Sequence, residues 1–564
     1  MQMLVRFSFL LAIVTVLPLV AAEFSAVDLE FFEKKIRPVL VEHCYKCHSA
    51  ESKKLKAGLR LDHRAGVIKG GDSGPSIVSG KPEQSRLIEA IGYDNVDLEM
   101  PPRGKLTGEQ IADLTEWVKR GAPWPKESVA SGTQKEFNLG EASAWWLHHS
   151  LHSLDNSLDN QINFFSGNPL EIIKELITSY DIESFSWNRC YSPWEIKRDT
   201  EIKKFLKESK ITVKTFNSTL LWEPWEILKD DQTPYKVFSP FYKKGCLKKH
   251  SGPREAITTF KKINFSEKSS LSIDIKSLDL LPKHHWKDKF DEYWNVGERA
   301  AMDKYLHFRD NGLNGYKEGR NFPSKENVSV LSPHLHFGEI SPHQIWHDNK
   351  DICPEKDVGH FHSELGWREF SYYLIYHFPE MCTENLNKRF DKFPWSLNQN
   401  YLVAWQKGKT GYPIVDAGMR QLWKTGYMHN RVRMIVASFL VKNLLIDWRV
   451  GLEWFNDCLC DADLANNTAS WQWTAGSGAD AAPYFRIFNP ILQGKKFDPD
   501  GTYTKQYVPE LQNLPSKYLF APWEADDSVF EQANIDYGKD YPKPIVSIEK
   551  SRDIALKAYD QIKG

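Results

Sequence analysis

The pattern of apolar residues changes once along this chain, near Val296, and that change constrains the fold more than any other feature. Before it, the apolar runs INFFSG, IESFSWN and ITVKTF alternate with the helical patterns PLEIIKELITSY and PWEIKRDTEIKKFLKES. Such alternation predicts a parallel α/β layer. After Val296, long amphipathic patterns rich in aromatic residues predict a mainly helical domain. With 564 residues the chain is too long for one core, so we expect a multidomain protein.

Charge and composition narrow the possible functions. The formal net charge of −1 gives no overall attraction to nucleic acid, so any DNA site must be a local basic patch. Twenty Trp residues and 13% aromatic residues are more than core filling requires. Stacking and electron-transfer roles are therefore candidate functions for some of these aromatic residues.

The first 22 residues have the pattern of a secretory signal peptide. Arg6 precedes the apolar run Phe7 to Val20, and Val20-Ala21-Ala22 provides a small-residue cleavage site. An uncleaved anchor is the alternative, but the run is shorter than the ~20 residues that span a bilayer. No other segment of the sequence is a candidate span, so none is expected after cleavage.

The motif CYKCH has the Cys-x-x-Cys-His spacing of a c-type haem attachment site. It predicts Cys44 and Cys47 as thioether anchors and His48 as the iron ligand. A redox disulfide or half of a zinc site are the alternatives, and no second Cys pair has zinc spacing. Met100, in the stiff stretch EMPPRG, is the candidate second axial ligand, with core filler as its alternative role.

The sequence around this motif resembles the planctomycete-type cytochrome c family. The stretches FFEKKIRPVLVEHCYKCHS, KAGLRLDHRAGVIKGGDSGPSIVSGKPEQSRLIEAI and LEMPPRGKLTGEQIADLTEWVKRGAPWP carry the resemblance over residues 26–126. It implies a small all-α domain at 23–126 that carries one haem c in the periplasm. A redox partner for this haem domain is a further expectation that the resemblance itself does not imply. Polar residues 127–138 are predicted to be a linker.

Four stretches of the helical half carry polar residues suited to chemistry. Ser329 and Ser332 precede a predicted helix, where hydroxyls and free N–H groups suit phosphate, although most such serines are simple caps. Glu364 and Arg368 lie four residues apart, which also fits a surface ion pair. The stretch YMHNRVRM concentrates basic residues, as a solvated face does. DADLANNTASWQW is dense in Asp and Asn, which need hydrogen-bond partners or a polar ligand if buried.

In this order, these stretches resemble the DNA photolyase/cryptochrome family from about Leu139 to the C-terminus. The stretches GKTGYPIVDAGMRQLWKTGYMHNRVRMIVASFLVKNLLIDW and WQWTAGSGADAAPYFRIFNP are similar to its microbial class I members. The resemblance implies a partial, Rossmann-like α/β antenna domain at 139–235, a connector at 236–295 and a large all-α FAD-binding domain at 296–564.

The resemblance also implies an FAD site, with Asn467 facing N5 of the isoalloxazine ring. Val328 stands where the family often has Thr. The residues carried over by position as FAD ligands are Tyr316, Ser329, Leu331, Ser332, Arg368, Asn430, Arg433, Asp461, Asp463 and Asn467.

The implied activity is that of a deoxyribodipyrimidine photo-lyase, the light-driven repair of cyclobutane pyrimidine dimers in DNA by an electron from reduced FAD. Glu364 would hydrogen-bond the flipped bases between Trp367 and Trp473. The (6-4) repair type has histidines at the positions of Asn430 and Met434, so these residues favour cyclobutane dimers. The other implied DNA contacts are Arg320, Arg431 and Arg486, and the implied electron chain to FAD is Trp471, Trp448 and Trp395.

The chain departs from the family at its start. A strand–helix–strand unit that precedes ASAWWLHHSL in family members is absent, and the cytochrome-like segment stands in its place. Central strands of the sheet should therefore be missing. Part of the folate or deazaflavin antenna site lies there, although Glu195 and Cys382 match antenna contacts.

Several alternatives stay open at this point. The activity could instead be that of a cryptochrome-like blue-light photoreceptor. The fusion could be genuine, with haem supplying electrons to FAD, or a chimaeric gene. It could also be an exported haem c electron-transfer protein with a vestigial flavin half. The signal peptide and haem c predict the periplasm, whereas DNA repair predicts the cytoplasm.

Overall fold

A computed structural model describes residues 12–15, 28, 31–49, 52, 56–62, 64–72, 74–93, 95, 98–102, 104–124, 139–249, 252–257, 264–281, 285–348, 354–484 and 486–563. The chain divides into two compact units. One spans residues 18–135, and the other spans residues 136–564 together with residues 1–17. The predicted linker at 127–138 and the predicted cleavage site at 20–22 lie outside the described residues.

The smaller unit is built from short helices around a tryptophan-rich core. A π-helical turn at Phe32–Ile36 runs into helix Arg37–His43, and helices Arg64–Lys69, Arg86–Gly92 and Gly108–Lys119 follow. Phe32 packs against Trp117 and Trp124, with ring centroids 5.9 and 4.4 Å away. The last helix begins at a capping box in which the Thr107 hydroxyl accepts from the backbone N–H of Gln110.

The larger unit begins with an α/β part that has four short strands. They are β1 (Ala12–Thr15), β2 (Asn163–Ser166), β3 (Ser184–Asn188) and β4 (Thr212–Phe216). The structure confirms the three strands predicted from INFFSG, IESFSWN and ITVKTF. Helices Glu141–Ser157, Pro169–Ser179 and Pro193–Glu208 accompany them.

These strands form two separate parallel pairs instead of one continuous sheet. β1 pairs with β2, and β3 pairs with β4. The gap agrees with the predicted loss of central strands. β1 comes from the run predicted to be the apolar part of a signal peptide; its cleavage stays a prediction.

The pair β3–β4 buries one face. Phe185 and Trp187 of β3 and Val213 of β4 pack against Ile202 and Leu206 of the following helix. The alternating residues on the other face are exposed along both strands. This period-two pattern is the one that the sequence shows in these runs.

The rest of the larger unit is mainly helical, as predicted. Between residues 236 and 295 it has helices Phe238–Pro240 and Leu247–Lys249, a π-helical turn at Phe241–Cys246, and 3₁₀ turns at Ile275–Leu278 and His285–Glu292. The helices that follow are Glu298–Asn311, Tyr316–Gly319, Ser332–His336, Pro342–Asp348, Glu355–His377, Gln399–Gln406, Pro413–Thr425, Asn430–Ser438, Trp448–Cys458, Leu464–Ala475, Pro490–Phe497, Thr502–Tyr507, Asp527–Ala533 and Ile548–Asp560. Within the described residues, no helix combines the length and the apolar character needed to cross a membrane.

Local signals place the helices that carry the candidate site. The Asp463 side chain caps Leu464–Ala475 by accepting from the backbone N–H of Asn466 at 2.8 Å, and Gly476 ends that helix with a φ of +94°. Helix Trp448–Cys458 packs so closely against it that a Cβ on Gly451 would lie 2.1 Å from the Trp471 ring. Only glycine permits this approach.

Candidate functional site

The centre of the candidate site is an ion pair between helix Asn430–Ser438 and the turn that precedes helix Leu464–Ala475. The Arg433 guanidinium Nη2 donates to both carboxylate oxygens of Asp461, at 2.8 and 3.1 Å. Its Nε donates to the carbonyl of Met428 at 2.7 Å. The Ser332 hydroxyl donates to the same carboxylate from a third segment. Ser332, Arg433 and Asp461, all predicted to hold one cofactor, therefore meet in the folded chain, although Ser332 and Asp461 are 129 positions apart in the sequence.

A second carboxylate network lies two residues further on. Asp463 accepts a hydrogen bond from the Tyr372 hydroxyl, and its Oδ2 lies 3.5 Å from Nδ1 of His336. Burial alone would raise the pKa of Asp463. The nearby His336 imidazole and the hydrogen bonds from Tyr372 and the Asn466 backbone outweigh burial and lower the pKa to about 2. Asp463 is therefore ionised at neutral pH.

The other predicted cofactor residues surround these networks unevenly. Tyr316, Leu331 and Asn467 are buried, whereas Ser329 is half-buried and Asn430 is exposed. The Asn467 side-chain amide makes one long bond of 3.4 Å, to the carbonyl of Leu452. Asn430 stands at the first position of helix Asn430–Ser438, so it lies at the surface of the site.

The loop before Ser332 is strained. Val330 has a φ of +51°, in the left-handed region that a β-branched residue rarely adopts. Such a conformation costs on the order of 1–3 kcal/mol and persists where the surrounding structure fixes it. It sets the backbone between the predicted ligands Ser329 and Leu331.

Arg368 has a free donor inside the protein. Its Nη1 donates to the carbonyl of Thr219 at 2.6 Å, and its guanidinium lies 5.1 Å from the ring centroid of Tyr372. Nη2 is buried and has no hydrogen-bond partner within the described part of the chain. A buried guanidinium N–H without an acceptor is costly, so it suits an anionic ligand.

The spacing of Glu364 and Arg368 left open a surface ion pair between them, and the structure does not form it. Glu364 instead accepts hydrogen bonds from Nη1 and Nη2 of Arg320, the latter at 2.9 Å. The same Arg320 Nη1 lies 3.0 Å from Nε2 of His360. The predicted base-contacting carboxylate and one predicted DNA-contacting arginine thus form a single unit.

The predicted DNA contacts line one electropositive region. Burial and the charges of Arg320 and Arg486 lower the pKa of Arg431, so these three guanidinium groups act on one another. Arg486 is exposed. Arg431 also contacts the sulfur of Met434, 3.6 Å from its Nη1. Clustered arginines in a chain of nearly neutral net charge form the local patch that a DNA site requires.

The two predicted aromatic walls are both partly exposed. The Trp367 ring stacks on Phe238, with centroids 3.8 Å apart and an angle of 11° between the planes. Trp473 is half-buried on helix Leu464–Ala475. Both rings are available for stacking with bases.

The three predicted electron-carrying tryptophans differ in burial. Trp448 and Trp471 are fully buried and Trp395 is partly exposed. The ring contacts of Trp471 are with Trp405 at 6.4 Å and Phe455 at 5.0 Å. The structure gives no ring contact among the three predicted tryptophans themselves within the described residues.

Sequence analysis missed several residues that the structure brings to the site. The Tyr372 hydroxyl donates a hydrogen bond to Asp463, and the His336 ring lies 3.5 Å from the same carboxylate. Trp405 and Phe455 contact Trp471. Tyr372 lies one helical turn after Arg368, a spacing that could have identified it. The other three offer no local signal.

The smaller unit holds the Cys-x-x-Cys-His motif in an arrangement that suits haem attachment. The His48 Nδ1 lies 3.3 Å from the carbonyl of Leu59, which fixes the proton on that nitrogen and leaves Nε2 for a metal. Cys44 and Cys47 are both free thiols, and Met100 is 41% exposed, unlike a core residue. Within the described residues, no group of three or more His, Cys, Asp or Glu side chains is arranged to hold a metal ion. A porphyrin needs only one or two protein ligands, so the residues present fit a haem.

The two predicted antenna residues lie on separate segments. Glu195 is half-buried in the first turn of helix Pro193–Glu208, and Cys382 is buried at the end of the 3₁₀ turn Pro379–Cys382. Burial raises the pKa of the Cys382 thiol to about 12.

The helical site fits a flavin dinucleotide. The orphaned Arg368 N–H suits a diphosphate, while the buried amide of Asn467, with its one long bond, suits a polar ring edge. The ionised Asp463 and the Arg433–Asp461 pair supply fixed charges beside it.

Comparison with known proteins agrees with this geometry. Residues 361–561 match the model described as the FAD binding domain of DNA photolyase, residues 127–259 match DNA photolyase, and residues 44–104 match Planctomycete cytochrome C. The chain is 47% identical over 436 residues to the deoxyribodipyrimidine photo-lyase of Agrobacterium fabrum, covering 75% of this chain and 90% of that protein.

Two solved structures share the fold. A bacterial class III photolyase from Agrobacterium tumefaciens has 45% sequence identity and a TM-score of 0.70, over 76% of this chain and 90% of that one. A Synechocystis cryptochrome has 28% identity and a TM-score of 0.68 over the same shares. The motifs had pointed to class I members, whereas this relative is of class III. The chain therefore belongs to the photolyase/cryptochrome family, with FAD as the cofactor of its helical unit.

Proposed function

We propose that this chain is a deoxyribodipyrimidine photo-lyase, which repairs cyclobutane pyrimidine dimers in DNA under blue light. The observation that carries the proposal is its 47% identity to a photo-lyase of which it covers 90%. The similar class III structure supports class III in place of the class I assignment. When bound, FAD supplies the light absorption and the electron that splits the dimer.

The Arg433–Asp461 pair and Asp463 give the cofactor site fixed charges. Both carboxylates are 8% exposed, and each is already held by protein donors. Groups that are fixed before a ligand arrives stabilise charge without reorganising. Asn467 and the free Arg368 N–H supply the remaining directed hydrogen bonds.

The substrate is bound beside this site. A dimer flipped out of the duplex would stack against Trp367 and Trp473, while Glu364, held by Arg320, accepts hydrogen bonds from the bases. Arg431 and Arg486 would contact phosphates of the damaged strand. A dimer stacks poorly in a duplex, which lowers the cost of flipping it.

The decisive experiment is repair of a dimer-containing oligonucleotide by the purified chain in blue light and in darkness, with bound flavin quantified. Repair only in light supports the proposal. Bound flavin without repair would replace it with a cryptochrome-like photoreceptor. A chain that binds no flavin would overturn both.

We also propose that the smaller unit carries haem c through Cys44, Cys47 and His48, with Met100 as the second axial ligand. The His48–Leu59 bond and the match to Planctomycete cytochrome C support it. Absorbance at the haem band that survives denaturation and organic extraction would demonstrate covalent attachment. Its loss in Cys44→Ser, with flavin content unchanged, is the expected control result.

The cell compartment and the antenna stay predictions. Fractionation with periplasmic and cytoplasmic markers separates the two predicted compartments. Fluorescence of the released chromophores shows whether a folate or deazaflavin occupies the region of Glu195 and Cys382.

A further inference from the structure

A buried lysine contacts the backbone of Arg486, one of the predicted DNA-contacting arginines. Lys442 belongs to the π-helical turn Phe439–Asn443, which extends helix Asn430–Ser438. It is only 1% exposed. The helix therefore carries Asn430 and Arg433 at its start and a buried amine at its other end.

The lysine has no counter-charge. Its Nζ donates one hydrogen bond, of 3.4 Å, to the carbonyl of Arg486, and it lies 5.2 Å from the ring centroid of Tyr484. No carboxylate within the described part of the chain forms an ion pair with it. Burial and the nearby Arg486 guanidinium lower the pKa of Lys442 to about 8, so the amine is still mostly charged at neutral pH. Burying an ammonium without a partner is costly, and proteins retain such a group where it has a task.

Its one acceptor belongs to the turn that presents Arg486. The Arg486 N–H donates to the carbonyl of Pro483 at 2.9 Å, which closes the turn. The Phe488 N–H donates to the Ser438 hydroxyl at 3.4 Å, which ties the same segment to the same helix. Tyr484 is held by stacking on Tyr559 at 4.4 Å. The side chain of Arg486 itself is exposed.

We propose that Lys442 is a positioning residue for DNA binding. It holds the backbone carbonyl of Arg486, so that the Arg486 side chain faces the phosphates of the damaged strand. This inference rests on the proposed function.

The test is a double-mutant cycle with Lys442→Met and Arg486→Ala in the full chain. The measurement is Kd for a dimer-containing oligonucleotide in darkness, with flavin content and repair at saturating DNA measured beside it. Lys442→Met should weaken binding about threefold, as expected for loss of one long hydrogen bond that positions Arg486. The double variant should bind no more weakly than Arg486→Ala alone, because both changes remove the same contact.

Two further variants separate positioning from stability. Lys442→Gln keeps a donor for the Arg486 carbonyl, so it should recover part of the lost affinity. Lys304→Met is the control, since Lys304 is a half-buried lysine that likewise lies over an aromatic ring, Trp294 at 5.3 Å. It should leave Kd unchanged. Hydrogen exchange of the backbone amides of Arg486 and Phe488 should become faster in Lys442→Met and not in Lys304→Met.

The outcomes separate this inference from the proposed function. If the wild type and Lys442→Met bind damaged DNA equally well, the inference is wrong and the function stands. Additive losses in the double variant would also overturn it, because Lys442 would then act independently of Arg486. If the wild type itself does not bind damaged DNA, both are wrong.

Discussion

The charge on Asp463 makes a large, measurable contribution to the stability of the flavin-binding unit, and Asp463→Asn removes it with little change in shape. Asn is also a good N-cap, so the hydrogen bond from the Asn466 N–H is retained. What is lost is the carboxylate that accepts from Tyr372 and interacts with His336. The substitution therefore isolates the electrostatic part of the network.

The magnitude follows from the pKa. The pKa of Asp463 is lowered to about 2 in the folded protein, against about 3.9 in an unfolded chain. This difference stabilises the fold by on the order of 2–3 kcal/mol at neutral pH. Because the folded pKa is the lower one, the stabilisation is fully present above the unfolded pKa. It is lost as pH falls through the folded pKa, about half of it by roughly pH 3.

Urea unfolding followed by the circular dichroism of bound flavin measures this unit. We expect Asp463→Asn to lose that stabilisation at pH 7 and the gap to the wild type to narrow below about pH 4. Asp447→Asn is the control, since Asp447 also caps a helix but its pair with Arg449 at 2.9 Å is one-quarter exposed. It should cost well under 1 kcal/mol. A gap for Asp463→Asn that is absent at pH 7, or that stays constant with pH, would refute the reasoning.

Three further substitutions test other parts of the molecule. Asp461→Asn leaves Arg433 without its counter-charge, so it should cost about 2 kcal/mol in urea unfolding and lower the flavin-to-protein ratio. Glu364→Gln should reduce light-driven repair about tenfold at unchanged flavin content, because a neutral amide accepts hydrogen bonds from the bases more weakly. Trp471→Phe should slow light-driven reduction of oxidised bound flavin about tenfold, measured by absorbance, while repair with chemically reduced flavin continues.

The fold could be predicted wherever a local pattern decides it. Period-two apolar runs gave β3 and β4 near their observed bounds, and the dense Asp and Asn of DADLANN marked a helix start that Asp463 does cap. The sequence did not predict which strands would pair. Pairing depends on which edges meet in space, and β2 pairs with β1, whose residues 12–15 lie far from it in the sequence.

The sequence predicted which types of residue form the candidate site, and packing decided which of them contact one another. Resemblance supplied Glu364 and Arg320 with separate DNA roles, and folding joined them in one ion pair across 44 positions. Tyr372 reaches Asp463 across 91 positions, and no spacing rule covers that distance. The sequence carries no signal for Lys442, because its burial and its contact with the Arg486 carbonyl depend on packing.

By itself, the sequence determined the Cys-x-x-Cys-His spacing at residues 44–48, the strand and helix periods, and the residue types that can carry flavin and DNA chemistry. Only the tertiary structure decided which carboxylate each arginine holds, which nitrogen of Arg368 is left without an acceptor, and which lysine is buried without a counter-charge. The physical reason is that periodicity and capping act between residues a few positions apart. Charge pairing and burial depend on groups that only the folded chain brings within a few ångströms.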